Sequence, residues 1–218
     1  MKTPPRSLPD GTRIDDYVIT KTLSRGGFSY VYLANDINDG RRIVLKEYIP
    51  ARLAQRDTEM RVVARSDETI EHFVHGRKLF LQEAHALADL KHSNIVNVIN
   101  FFNANGTVYM VMQFEQGHNL HSYIKKHKGF LSEQFLLTVF PPLLDGLKMI
   151  HESGFLHLDI KPGNIHLRVG GNPLLLDFGA GHEMQQSRQY QPGQVLTLGF
   201  CPTEQSMVGG YVGPWTDI

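Results

Sequence analysis

The sequence predicts an α+β fold in two lobes, a strand-rich first half holding one long helix and a mainly helical second half. Three observations predict it. Alternating apolar runs fill the chain up to about residue 114, interrupted by one stretch of helical spacing, "DETIEHFVHGRKLFLQEAHALADLKH". After Gly117 the apolar residues recur at helical intervals. With 218 residues, 41% of them hydrophobic, the chain is long enough for one large domain or two lobes sharing a cleft. Lys+Arg and Asp+Glu balance at 22 each, which gives no electrostatic footprint for nucleic acid or an anionic membrane. The single cysteine, Cys201, excludes an internal disulfide and fits a reducing, cytoplasmic setting. "MKTPPRSLPDG" has no apolar h-region, and the most apolar run, "FLLTVFPPLLDGL", is broken by two prolines and an Asp, so neither a signal peptide nor a membrane span is expected.

Residues 1–14 read as a polar, Pro-containing lead-in. "DYVITKTLSRGGFSYVYLAND" gives two strands around a Gly/Ser turn. "GRRIVLKEYI" is a third strand, with Val44 and Lys46 on one face and Ile43 and Leu45 on the other. The helical stretch follows, then strands in "NIVNVINFF" and "TVYMVMQF". "NLHSYIKKH" reads as a short helix and "LSEQFLLTVFPPLLDGLKMIHESG" as a long apolar one.

Four features along this frame carry chemistry. Gly26 and Gly27, flanked by Ser24 and Ser29, form a small-residue turn whose backbone N–H groups can approach a phosphate, although a Gly-Gly pair is more often a plain hairpin turn. Lys46 shares a strand face with Val44, while the ordinary strand lysine is a solvated edge residue. Glu83 sits among Leu79, Phe80, Ala86 and Leu87 on its helix; an acid in an apolar stripe is costly unless paired, and a lysine on a neighbouring strand would pair it. Asp159, Lys161 and Asn164 crowd one loop, and Asp177 ends the run "LLLDFG". Asn164 and Asp177 offer oxygen ligands only, which suits Mg²⁺; alone, each is more often a residue capping a turn. His118 and His121, three apart on a helical face, lack the two further ligands that Zn²⁺ would need.

The glycine turn, "IVLK", the helix Glu, "HLDIKPGN", "DFG" and "PTE" stand in the order of the eukaryotic-type protein kinase family, and from about Tyr17 to the last residue the chain resembles its bacterial serine/threonine members. The resemblance implies a two-lobed protein-kinase fold, with an ATP-binding lobe over 15–115 and a partial second lobe over 116–218. It implies ATP- and Mg²⁺-dependent phosphoryl transfer to Ser/Thr hydroxyls of a protein substrate. Leu23, Ser24, Arg25, Gly26, Gly27, Phe28, Ser29 and Val31 would cover the phosphates, with serines at the first and third glycine positions. Val31 and Val44 would enclose adenine, Met112 would be the gatekeeper, and Gln113, Phe114 and Glu115 the hinge. Lys46, oriented by Glu83, would hold the α- and β-phosphates; Asp159 would accept the acceptor's proton; Lys161 would neutralise the transferred phosphoryl; Asn164 and Asp177 would hold Mg²⁺. Thr197 matches the threonine that contacts the catalytic Asp and Lys, and His166 stands at the adenine floor, where it would make nucleotide affinity pH-sensitive near neutrality. Leu87, Val98, His157 and Phe178 match positions stacked between the lobes of an active kinase.

Lys46 and Glu83 are 37 positions apart, longer than usual in this family, which predicts an extra loop before the helix. The family's arginine before the catalytic Asp is Leu158 here, so activation-segment phosphate, at Ser187 for example, would find no partner charge. Asp217 matches the acid that opens a buried central helix, and the arginine that pairs with Glu204 in the family lies beyond it. The expectation is a poorly stable chain with exposed apolar surface in its second lobe. A nucleotide-binding module without turnover is the competing function, supported by Ser24 and Ser29; a small-molecule kinase ranks third, because such enzymes lack the Thr197–Glu204 peptide-docking segment.

Overall fold

The computed structural model describes residues 5–177, 182–183, 197, 199–207 and 210–218, so the expectations for Phe178, Gly179 and Ser187 lie outside the described residues. The chain forms two compact units, Met1–Ala88 with Asn97–Phe114, and Asp89–Val96 with Glu115–Ile218.

The first unit is a six-stranded antiparallel sheet carrying one helix. Its strands are β1 (Arg13–Ile14), β2 (Tyr17–Arg25), β3 (Ser29–Asp36) and β4 (Arg42–Tyr48). After β4 come a small hairpin, β5 (Ala54–Arg56) with β6 (Val62–Ala64), and the helix α1 (Asp67–Asp89). The strands β7 (Val98–Ala104) and β8 (Thr107–Gln113) complete a sheet of order β1-β2-β3-β4-β8-β7. Asn105 and Gly106, both at positive φ, make the tight turn between β7 and β8. Register places Lys46 between Val31 and Met110, and Val44 between Leu33 and Met112.

Asp67 and Glu68 favour the start of α1, where backbone N–H groups are unpaired. Its buried stripe is Phe73, Phe80, Ala84 and Leu87, a spacing of seven, four and three. Leu79, expected beside Glu83 in that stripe, is instead 40% exposed, because a side chain one position from Phe80 is rotated away by the helix. The extra length before α1 is a hairpin rather than a loop. Arg56 on β5 ties it to the sheet, as does the Val62 N–H, which donates to the Asn105 carbonyl. The lead-in also departs from expectation. Leu8 is buried, its N–H donates to the Tyr32 hydroxyl, and the Tyr30 hydroxyl donates to the Pro5 carbonyl.

The second unit holds β9 (Gly117–Asn119), α2 (Leu120–Lys126), α3 (Glu133–Glu152), β10 (Phe155–Leu156), β11 (Ile165–Arg168), β12 (Pro173–Leu175), β13 (His182–Glu183) and α4 (Thr203–Ser206). Asn119 and Ser132 cap α2 and α3 with side-chain oxygens. Pro141 and Pro142 lie inside α3, where each removes a backbone donor. Val139, Leu143, Leu147 and Ile150 hold the helix by burial, while Leu136, Leu137, Phe140 and Leu144 are exposed. Five strands of two to four residues interrupt the mainly helical expectation; such short elements show no period in the sequence. Three of them form a sheet of order β12-β11-β9. Gly117 lies so close to β11 that a Cβ there would stand 2.1 Å from the Leu167 carbonyl oxygen. Segment 89–96 joins this unit through backbone bonds, Val96 N–H to the Leu175 carbonyl and Leu175 N–H to the Asn94 carbonyl. Among the described residues no helix is long and apolar enough to cross a membrane.

Candidate active site

In the first unit β4 and α1 bring Lys46 and Glu83 together, Nζ 3.3 Å from Oε1, with side chains only 5% and 10% exposed. An ion pair so buried is retained only where both charges find partners, and the Lys46 ammonium also lies 5.4 Å from the centre of the Phe80 ring. At the end of β2, Leu23, Ser24 and Arg25 are exposed, as are Gly26, Gly27 and Phe28 in the turn that follows, while Ser29 at the start of β3 is partly covered. The Gly26 N–H donates to the Ser29 carbonyl, and the Gly27 carbonyl accepts from Ala51 N–H. A Cβ on Gly27 would meet nothing within 4 Å, and one on Gly26 nothing closer than 3.7 Å. The chain itself therefore leaves open space beside both glycines, which fits close approach of a phosphate to the backbone there.

Val31 and Val44 are half-buried, and Met112 is buried opposite Val44 and Val98. Gln113 is exposed and its N–H donates to the Asn97 carbonyl; the Arg42 guanidinium stacks 4.5 Å over the Phe114 ring. The boundary between the units falls between Phe114 and Glu115, inside the expected hinge.

The second unit assembles a closed polar array. The Lys161 ammonium donates to Asp159 Oδ2 at 2.7 Å and to the Thr197 hydroxyl at 2.8 Å. The Thr197 hydroxyl donates to Asp159 Oδ1 at 2.7 Å. Asn164 Nδ2 donates to Asp159 Oδ2 at 2.8 Å and to the Asp159 carbonyl at 2.9 Å. The amide nitrogen is thus turned onto Asp159, and Oδ1 faces the other way as a hard oxygen ligand. Asp177 is held at φ 53°, a backbone conformation that costs about 1–3 kcal/mol outside glycine and clusters at functional sites. Together, Asn164 Oδ1 and the Asp177 carboxylate are a donor set of the kind Mg²⁺ takes.

Beneath this array the chain is clamped. Asp217 is 5% exposed and accepts from His157 N–H at 2.8 Å, Leu158 N–H at 2.6 Å and His151 Nε2 at 2.8 Å. Gln205 donates to the Leu158 carbonyl at 2.7 Å, so both backbone polar groups of Leu158, the residue before Asp159, are secured. Leu158 sits at φ 59°, and its side chain is buried with Leu156 and Val212. His157 is fully buried; Nε2 lies 3.0 Å from the Leu176 carbonyl and Nδ1 accepts from Asp159 N–H. Burial drives its pKa down, outweighing the pull of Asp217, so the imidazole is neutral with its proton on Nε2.

His166 on β11 is likewise pushed below the ordinary imidazole range, chiefly by burial, and against the Glu115 backbone contact. That moves the titration expected near neutrality to more acid pH. His118 lies on β9 and His121 on α2, so they do not share a helical face; His118 stacks on Tyr123 instead. Glu204 accepts from the Thr216 hydroxyl at 3.1 Å, a partner the sequence did not indicate. A recess of about 190 Å³ opens beside Asp159, lined by Phe200, Cys201, Pro202 and Trp215 among others.

Sequence reasoning also missed Gln205, the triple acceptance by Asp217, and a buried polar cluster on the far side of β4. In that cluster Glu47, fully buried, accepts from the Tyr109 hydroxyl at 2.6 Å, the Tyr32 hydroxyl at 2.9 Å and Arg56 Nη2 at 2.5 Å. Burial, then the neighbouring Glu47 carboxylate, pushes both phenols up. Burial works against the Arg56 charge, yet its partners, Glu47 first, leave it above its ordinary value. Its signal in the sequence is an acid on the face of β4 that also carries Ile43 and Leu45.

A sheet bearing a buried Lys–Glu pair, and a helical unit bearing an Asp–Lys–Thr–Asn array above a buried Asp, define the kinase class of fold. Residues 17–218 match the family described as the protein kinase domain, and the chain belongs to that family. It is 32% identical over 204 residues to serine/threonine-protein kinase D of Synechocystis sp., covering 88% of this chain and 37% of that protein. It is 31% identical over 201 residues to serine/threonine-protein kinase PknA of Nostoc sp., covering 87% of this chain and 33% of that protein. The chain thus spans about a third of the length of these relatives. The solved structure of PpkA-294 in its apo form superposes with a TM-score of 0.83 at 34% identity, over 97% of this chain and 74% of that one. The kinase domain of M. tuberculosis PknI, at 22% identity and a TM-score of 0.67 over 97% of this chain and 71% of that one, shares the fold.

Proposed function

We propose that this chain transfers a phosphoryl group from ATP to Ser or Thr hydroxyls of a protein. The observation that carries the reading is the array in which Lys161, Thr197 and Asn164 all converge on the Asp159 carboxylate. Phosphoryl transfer asks little covalent chemistry of a protein; it needs an oriented acceptor and neutralised charge. Asp159, held by three donors with one oxygen shared by Lys161 and Asn164, would take the acceptor's hydrogen bond and its proton. Lys161 would set its positive charge beside the phosphoryl in transit. Lys46, fixed by Glu83, would bind the α- and β-phosphates. Mg²⁺ held by Asn164 and Asp177 would neutralise phosphate charge. Thr197 in contact with Asp159 and Lys161, and the recess beside Asp159, favour a peptide acceptor over a small molecule.

The test is transfer of labelled phosphate from Mg·ATP to a generic protein, with phosphoamino-acid analysis, set against Asp159→Asn. Transfer to Ser or Thr that falls at least a hundredfold in the variant supports the reading, the lower end of what a positioned acid–base group contributes. Equal rates in the two proteins refute it. Ser24 and Ser29 in place of glycines favour one second reading, a module that binds nucleotide without turnover. Nucleotide binding with no transfer above the Asp159→Asn level would establish that instead.

A further inference from the structure

Lys46 is useful only if α1 holds Glu83 against it, and the structure shows a second contact between the same two elements. Tyr48 follows Lys46 by two positions on β4 and so projects from the same face. Gly76 precedes Glu83 by seven positions on α1, about two helical turns, and so lies on the same stripe. A Cβ on Gly76 would stand 1.9 Å from the Tyr48 hydroxyl oxygen and 2.9 Å from its Cζ. Only glycine admits the phenol there. The ring is buried, its hydroxyl pKa is pushed up to about 12 by burial, and it stacks on Phe73 at 5.9 Å and meets Phe80, tilted, at 5.6 Å. Phe80 links the two contacts, meeting the Tyr48 ring and lying 5.4 Å from the Lys46 ammonium. The backbone of Tyr48 is fixed as well, since its carbonyl accepts from the Thr107 hydroxyl at 2.5 Å.

We propose that Tyr48 seated on Gly76 is a positioning device that sets the height of α1 over β4 and so holds Glu83 in reach of Lys46. It rests on the phosphotransferase reading above only for its kinetic consequence. Glycine is otherwise a poor choice inside a helix. Replacing it with alanine ordinarily favours the helix and leaves neighbouring function untouched. The proposal requires the opposite here. A methyl at this point has to displace either the ring or the helix, and either movement loosens the ion pair two turns on.

The experiment is a double-mutant cycle of Gly76→Ala and Tyr48→Leu in the full chain, read by kcat and the KM for ATP. Gly76→Ala is expected to lower kcat about tenfold, while in the Tyr48→Leu background, where the obstructing atoms are gone, the same change should cost less than twofold. A loss below threefold in the first case, or an equal loss in both backgrounds, overturns the proposal. Amide hydrogen exchange across residues 77–89 of the same variants needs no turnover. Faster exchange in Gly76→Ala, reversed by adding Tyr48→Leu, supports the device; unchanged exchange refutes it. Absence of phosphate transfer by the unmutated chain would count against the proposed function alone.

Discussion

Arg56→Met tests whether the inserted hairpin is part of the first unit's framework. The Arg56 and Glu47 side chains are 4% and 0% exposed, and Nη2 meets Oε2 at 2.5 Å. Removing one partner of a buried pair leaves an uncompensated charge, a loss of about 3–5 kcal/mol. Glu47 keeps two phenol donors, Tyr32 and Tyr109, which places the expected loss at the lower end, about 3 kcal/mol. The variant also forfeits the Arg56 bonds to the Arg6 and Met60 carbonyls, which tie down the lead-in and the hairpin turn. For a chain of this size the melting temperature should fall by about 6–12 °C. Adding Glu47→Gln removes the stranded charge while keeping a polar group for the phenols, and should recover more than half of the loss. Urea unfolding followed by far-UV circular dichroism measures both variants. A loss under about 1 kcal/mol for Arg56→Met, or no recovery in the double variant, would refute the claim that this pair is a coupled buried unit.

Two further outcomes are expected. His157 and His166 have folded pKa values below the ordinary imidazole value of about 6.5, so the unfolded chain binds their protons more readily. Stability should therefore be flat from pH 8 to 7 and fall as the pH drops below about 6.5; a melting temperature unchanged down to about pH 5.5 would contradict this. Leu158 is buried with Leu156 and Val212 and offers no charge to the activation segment, so Ser187→Ala should leave the phosphate-transfer rate within about threefold, under 1 kcal/mol of barrier; a larger loss would show that phosphate at Ser187 acts by another route.

The parts of the site legible in the sequence are those where residue type and spacing both constrain chemistry. Lys46 and Glu83 were readable because a lysine on a strand face and an acid in an apolar stripe each need a partner. Asp159, Lys161 and Asn164 were readable because three polar groups crowd one short loop. The hairpin β5–β6 was not, since three-residue strands carry no period, and its anchor depends on Arg56 reaching an acid nine positions back. Gln205 and Asp217 act on the site through main-chain groups 47 and 59 positions away, and a backbone N–H or carbonyl has no signature in residue identity.

Leu158 shows why this matters for function. As a letter it marks only the absence of the arginine that the kinase family carries before the position of Asp159. In the structure it is held at φ 59° by an acceptor on its N–H, a donor on its carbonyl and an apolar seat for its side chain. A non-glycine residue in that conformation costs about 1–3 kcal/mol, which the clamp offsets. The next residue, Asp159, is aimed by that turn of the backbone. Three surrounding contacts from Asp217, Gln205 and Val212 all come from the segment after Pro202. Orientation of Asp159 is therefore coupled to the seating of that segment. A leucine at 158 fills the seat beside Leu156 and Val212 with an apolar side chain, so this position adds no charge to that seat.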